Sequence, residues 1–158
     1  MARRAASLLL AALVAGCGAP DLLPTLPTPV PTTPIPPVAT LTVPGGPPIA
    51  GDVGTYSWDG FASDAPWLPG GDPVHVPADI LASVRFPPGT EISTWTVAYA
   101  PLPASGPADP AAARVQARSI TAEVDFPAPP AGAWSVRLWA EFPGHGQVDY
   151  FWRFEVSE

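Results

Sequence analysis

The 158-residue chain has a single cysteine, Cys17. One thiol excludes any internal disulfide, so a folded domain here depends on its core alone. Only two histidines occur, His75 and His145, and a His/Cys zinc centre wants four such ligands. Lysine is missing: all seven basic residues are Arg, against fourteen Asp and Glu, for a net charge of −7. That balance leaves no electrostatic footprint for nucleic acid. No glycine-rich strand-to-helix phosphate loop is present, and no Gly-x-Ser-x-Gly elbow. Neither histidine sits in a recognisable nucleophile–base context. The chain reads as a non-enzyme that needs no cofactor.

Proline and glycine are abundant instead, at 25 and 14 residues, with proline about three times its average usage. The bias is concentrated near the N-terminus. Between Gly18 and Pro48 there are eleven Pro and six Thr, and Asp21 is the only charged residue. Proline at this density removes backbone donors and clashes with a preceding helical turn, so neither a helix nor a central strand is expected. Polyproline II is the natural conformation; at about 3.1 Å per residue it reaches on the order of 90 Å. The simplest role is a disordered spacer. A ligand for a proline-recognition module or a glycosylated stalk are the sharper readings. Ala39 to Val43 is the first stretch able to form a strand, as an edge, before Pro44-Gly45-Gly46-Pro47-Pro48 interrupts the chain.

Ahead of this tract, Arg3 and Arg4 precede an apolar run from Ala5 to Val14 broken only by Ser7. The run is about half the length that a bilayer-spanning helix needs, and suits the core of a signal peptide. It ends in Leu13-Val14-Ala15-Gly16-Cys17, an aliphatic residue, two small ones and a cysteine. This pattern resembles the lipobox of bacterial lipoproteins. The resemblance implies diacylglycerol transfer to the Cys17 thiol, cleavage before it by the type II signal peptidase, and further acylation of the new amine. Two or more acyl chains anchor stably where one does not. Cleavage at this point leaves five Arg against the fourteen acidic residues, a charge of −9. Gly18, not Asp, follows Cys17, so the inner-membrane retention residue of two-membraned organisms is missing. An ordinary secretory signal is the competing reading. It leaves Cys17 as a reactive free thiol. The expected organisation is residues 1–16 signal peptide, 17–48 lipidated cysteine and linker, and 49–158 a folded domain on the extracytoplasmic face of the cell envelope.

Within 49–158 the apolar residues alternate, which predicts half-buried strands. Ile120, Ala122, Val124 and Phe126 share one face of residues 119–126; Trp134, Val136, Leu138, Ala140 and Phe142 share one face of 133–142; Val148, Tyr150, Trp152, Phe154 and Val156 share one face of 148–156. Shorter candidates are 54–58, 82–86, 91–99 and 114–118. Seven or eight short strands between Pro/Gly turns predict an all-β fold, an immunoglobulin-like antiparallel β-sandwich. Trp134, Trp152, Tyr150 and Phe154 are expected at its centre. The last two strands flank a five-residue turn, Pro143 to Gln147. Cross-strand charge pairing favours the register that sets Arg137 opposite Glu155 and Trp139 opposite Arg153, over one that opposes Arg137 to Arg153. Residues 54–64, Gly-Thr-Tyr-Ser-Trp-Asp-Gly-Phe-Ala-Ser-Asp, resemble a Gly-x-Tyr-Cys-Trp…Cys-x-Asp segment of uncharacterised secreted bacterial β domains. Ser57 and Ala62 occupy the cysteine positions, so the bridge is missing here.

For a binding site the sequence offers Trp139 and Phe151, on the faces opposite the core residues of the final hairpin, with Trp67 nearby in a Pro-flanked loop. Exposed aromatics there stack sugars or receive an envelope protein or glycan partner, unless neighbouring segments cover them. Asp52, Asp59, Asp64 and Asp72 cluster in a glycine-rich stretch. Their spacing fits no calcium-loop signature, and turn and capping roles explain them as well. His145 lies in a glycine turn and is expected in solvent.

Overall fold

The computed structural model describes residues 34–121 and 123–158. The signal-peptide and lipobox residues Leu13, Val14, Ala15, Gly16 and Cys17, the linker up to residue 33, and Ala122 lie outside them. The described residues fold into eleven strands in two packed sheets, the expected all-β sandwich. The smaller sheet has the order β2-β1-β6-β9: β1 is Thr40–Thr42, β2 Ile49–Ala50, β6 Leu81–Arg85 and β9 Val124–Pro127. The larger has the order β4-β3-β11-β10-β7-β8: β3 is Asp52–Trp58, β4 Phe61–Ser63, β7 Thr94–Pro101, β8 Arg114–Ser119, β10 Gly132–Phe142 and β11 Gly146–Ser157. The remaining strand, β5 (Val74–Pro77), pairs with the end of β11 in parallel, the one departure from an antiparallel pattern among the described strands.

The alternation that defines β10 and β11 puts Val136, Leu138, Ala140, Phe142, Val148, Tyr150, Trp152, Phe154 and Val156 into the space between the sheets. Ala39, Leu41, Val84, Val124 and Phe126 meet them from the smaller sheet. Trp134 is only half-buried; its indole N–H donates to the Pro130 carbonyl at 2.7 Å, and its ring meets Tyr99 edge-on. The hairpin register differs from expectation. Trp134 faces Phe154, Arg137 faces Phe151 and Trp139 faces Asp149. Opposite charges still meet, but diagonally: Arg137 Nε donates to Asp149 Oδ1 at 2.7 Å. The turn shortens to Pro143-Gly144-His145, because Gly146 pairs directly with Phe142. Gly146 has φ 128°, and a Cβ there would lie 2.0 Å from the Ser57 carbonyl oxygen, so β3 can approach this corner only against glycine.

Two other boundaries move. Residues 119–126 are not one strand. Ser119 ends β8 in the larger sheet, Val124 starts β9 in the smaller one, and Ile120 between them is 82% exposed. The chain changes sheets there, so the single face expected for Ile120 to Phe126 does not form. The domain also begins before residue 49. Ala39 and Leu41 are fully buried, and β1 pairs with both β2 and β6, so it is an interior strand and not an edge. Pro36 is buried as well, and the Pro37 carbonyl accepts a 2.6 Å hydrogen bond from the hydroxyl of Tyr150, itself fully buried. The end of the proline-rich tract is therefore part of the sandwich.

Ser57 and Ala62 are direct register partners in the β3–β4 hairpin. Paired positions on adjacent strands bring Cα atoms to about 4.5–5.5 Å, within disulfide range. Burial pushes the Tyr150 phenol well above its ordinary pKa, so it stays a donor across the physiological range. Tyr150→Phe removes this bond and leaves the Pro37 carbonyl without that donor. It is expected to cost about 1–2 kcal/mol in urea unfolding, with faster hydrogen exchange in residues 38–43. In a Cys17→Ser background, the pair Ser57→Cys and Ala62→Cys is expected to oxidise in air, seen as the loss of two hydrogens in the intact mass. A mass that retains both thiols would contradict the hairpin register.

Candidate functional site

The three aromatics expected at a binding surface do not form one. Phe151 is 2% and Trp67 9% exposed, with ring centroids 5.7 Å apart. They are the centre of a second, smaller core on the outer face of the larger sheet, together with Ala98, Ala100 and Ala108. The reason is visible two strands away: across β10, β7 presents only the small Ala98 and Ala100 on this face, leaving a shallow apolar depression. Trp67 fills that depression, and its carbonyl accepts the Ala108 N–H at 2.9 Å. Gly54 makes the arrangement possible, since a Cβ there would lie 2.2 Å from the Phe151 ring. The Arg137 guanidinium lies 5.2 Å from the Trp67 ring centre, a cation–π distance. Trp139 stays half-buried, and its indole N–H donates to Gln147 Oε1 at 3.2 Å.

The clustered aspartates separate into different tasks. Asp52 Oδ2 accepts the N–H groups of Gly70 at 2.7 Å and Gly71 at 3.2 Å, which ties down the loop that carries Trp67. Asp59 pairs with His145, and Asp64 is exposed. Asp72 lines a cavity of about 280 Å3 with Asp52, Phe151, Trp152 and Arg153. Among the described residues no three Asp, Glu, His or Cys side chains converge as a metal site. His75 approaches Glu155 at 3.4 Å on the exposed side of β5.

The most organised polar constellation is at one end of the sandwich. Asp59 and Gly60 connect β3 to β4, both with positive φ, 48° and 83°. This is the two-residue turn that Asp-Gly favours between strands. It holds the Asp59 carboxylate against the turn between β10 and β11, where Asp59 Oδ1 lies 2.9 Å from His145 Nδ1. The backbones are joined too, by Asp59 N–H donating to the His145 carbonyl at 2.9 Å. The imidazole stacks on Trp58, with centroids 4.9 Å apart and planes 11° apart, and Trp58 packs edge-on against Phe142. His145 is therefore held on one face and one edge, not free in solvent as its glycine turn suggested. A carboxylate at Nδ1 holds the proton there in the neutral ring and leaves Nε2 as an acceptor. Nε2 has no hydrogen-bond partner among the described residues.

His145 and Trp58 line a cavity of about 350 Å3, with Ile35, Pro37, Gly89, Thr90, Glu91, Phe142 and Pro143. Two turns, the end of β3 and the segment preceding β1 thus meet around one opening, at the kind of sandwich end where loops carry recognition. The Asp59-Gly60 dipeptide is the signal that could have marked this hairpin. Nothing in the sequence set it beside His145, 86 residues away. Compared with known proteins, the chain matches no family model, no curated protein and no solved structure. Its class rests on the fold: an all-β two-sheet sandwich with a cavity of mixed polar and apolar lining at one end.

The outer-face ion pair carries its own test. Asp149 is 4% exposed, and burial raises its carboxyl pKa although Arg137 pulls it down. A raised carboxyl pKa contributes stability below that pKa and loses it as pH rises through it. Arg137→Ala leaves Asp149 buried without its cation and is expected to cost about 3 kcal/mol at neutral pH. The loss should shrink on mild acidification as Asp149 takes up a proton. Urea midpoints of wild type and variant measured across that range check both the size and the sign.

Proposed function

We propose that the protein is a lipid-anchored, extracytoplasmic binding module of the cell envelope that performs no catalysis. The observation that carries this reading is Leu13-Val14-Ala15-Gly16-Cys17 behind Arg3, Arg4 and a short apolar run. Cys17 takes the lipid, the Pro/Thr-rich segment spaces the domain from the membrane, and the sandwich meets an envelope protein or glycan. A further point supports it. The single cysteine stands at the lipobox, which fits a domain stabilised by its core and not by disulfides. No described helix is long and apolar enough to cross a membrane.

Protein from the native host should begin at Cys17, carry acyl mass and partition into detergent, while Cys17→Ser should remain in the aqueous phase. An unacylated, water-soluble native form would refute the anchor and make the domain a freely secreted module.

A further inference from the structure

We infer that the cavity between the His145 turn, the Trp58 end of β3 and the Gly89–Glu91 segment is a binding site for an uncharged, hydroxyl-rich ligand of about one sugar ring. The inference builds on the reading of the sandwich as a binding module and relocates its glycan surface from Trp139, Phe151 and Trp67 to this end of the fold. Size, charge and chemistry each narrow the ligand. The cavity is about 350 Å3, at the small end of the roughly 300–1,000 Å3 typical of ligand pockets.

Its ionisable lining is Glu91 and His145, with the Asp59 carboxylate against the imidazole; none of the five described arginines lines it. In a chain of net charge −7, such a site repels phosphates and carboxylates. Two of its polar side chains present acceptors. In the tautomer with the proton on Nδ1, towards Asp59, His145 offers Nε2, and Glu91 offers a carboxylate with no ion-pair partner among the described residues. Acceptors of this kind ask for ligand O–H groups, and Thr90 can serve as donor or acceptor beside them. The rest of the wall is apolar: Ile35, Pro37, Phe142, Pro143 and the Trp58 edge. Acceptors on one side and C–H-compatible walls on the other match a sugar ring, which has hydroxyls around its rim and C–H groups on its faces. Asp59 is a positioning residue here. It fixes the tautomer and the ring plane, with Trp58 beneath, before any ligand arrives.

The test uses the full mature chain with Cys17→Ser, followed by amide and imidazole NMR. Glucose, galactose, mannose and N-acetylglucosamine are titrated separately, with inorganic phosphate and ethanolamine as charged probes. At least one sugar is expected to shift His145, Thr90 and Glu91 saturably, with a Kd on the order of 1 mM. His145→Gln and Glu91→Gln should each weaken it by about tenfold without moving Tm, while Trp139→Ala should leave it unchanged. Asp59→Asn should alter the imidazole tautomer signature and weaken binding together.

Absence of saturable shifts with every sugar up to roughly 50 mM would overturn the inference. So would shifts that survive both cavity variants, or tighter binding of either charged probe. The acyl-mass experiment is independent of this one, so failure of the site and failure of the anchor are distinguishable.

Discussion

Backbone hydrogen bonding along β11 is the constraint on which the rest of the molecule depends. A central strand buried on both faces must satisfy its donors and acceptors on both edges. β10 covers one edge along almost its whole length, from Gly146 to Val156. β3 covers the other only from Gly146 to Phe151, with an irregularity between Val148 and Tyr150. β3 therefore leaves the later part of that edge open. β5 closes it, running parallel to β11 from Phe154 to Ser157. This shared edge explains why a lone parallel pair occurs in an otherwise antiparallel fold, and why Val74 and Val76 are buried in a segment rich in proline and glycine.

Without disulfides, packing supplies the cohesion, and aromatic rings carry much of it. Phe86 meets both Phe142 and Tyr150 edge-on, at 5.4 and 5.6 Å, and Phe142 meets Trp58 in the same way. The series runs from the stacked His145 at one end to the Tyr150 hydroxyl, and from there to the Pro37 carbonyl. The cavity and the docked end of the proline tract are thus built on one continuous aromatic framework. Edge-on contacts of this type add about 0.5–1.5 kcal/mol each beyond their area, and they also fix ring orientation, which a site built from turns otherwise lacks.

The strands that were legible in the sequence are those with long, uninterrupted alternation. β10 and β11 have their inward faces as expected because a period of two leaves no other choice for five large residues. Register was not legible, since the pairing rule weighed only residues directly opposite, while Arg137 reaches Asp149 on the diagonal. The 119–126 segment shows the opposite limit. Alternation continues across Ile120 although the chain is crossing between sheets, and hydrophobic pattern alone has no marker for that. β1 was legible as a strand, since Thr40-Leu41-Thr42 is good strand sequence, but the prolines around it made it read as an edge ahead of the domain and not as an interior strand. The side chains of the candidate site were the least legible. Trp67 and Phe151 are aromatic on a nominal outer face, yet the alanines of β7 make that face a place to bury them. His145 and Asp59 are unremarkable until topology joins their turns.

Because Pro37 is fastened to Tyr150 in the middle of the central strand, mechanical load applied from the N-terminal side does not reach a sheet edge first. It arrives at the best-supported strand of the molecule. The three-residue β1 that follows is interleaved between β2 and β6, so the domain resists being peeled from its beginning. Pro37 also lines the cavity beside His145, so one residue both fastens this segment to the central strand and shapes the wall of that cavity.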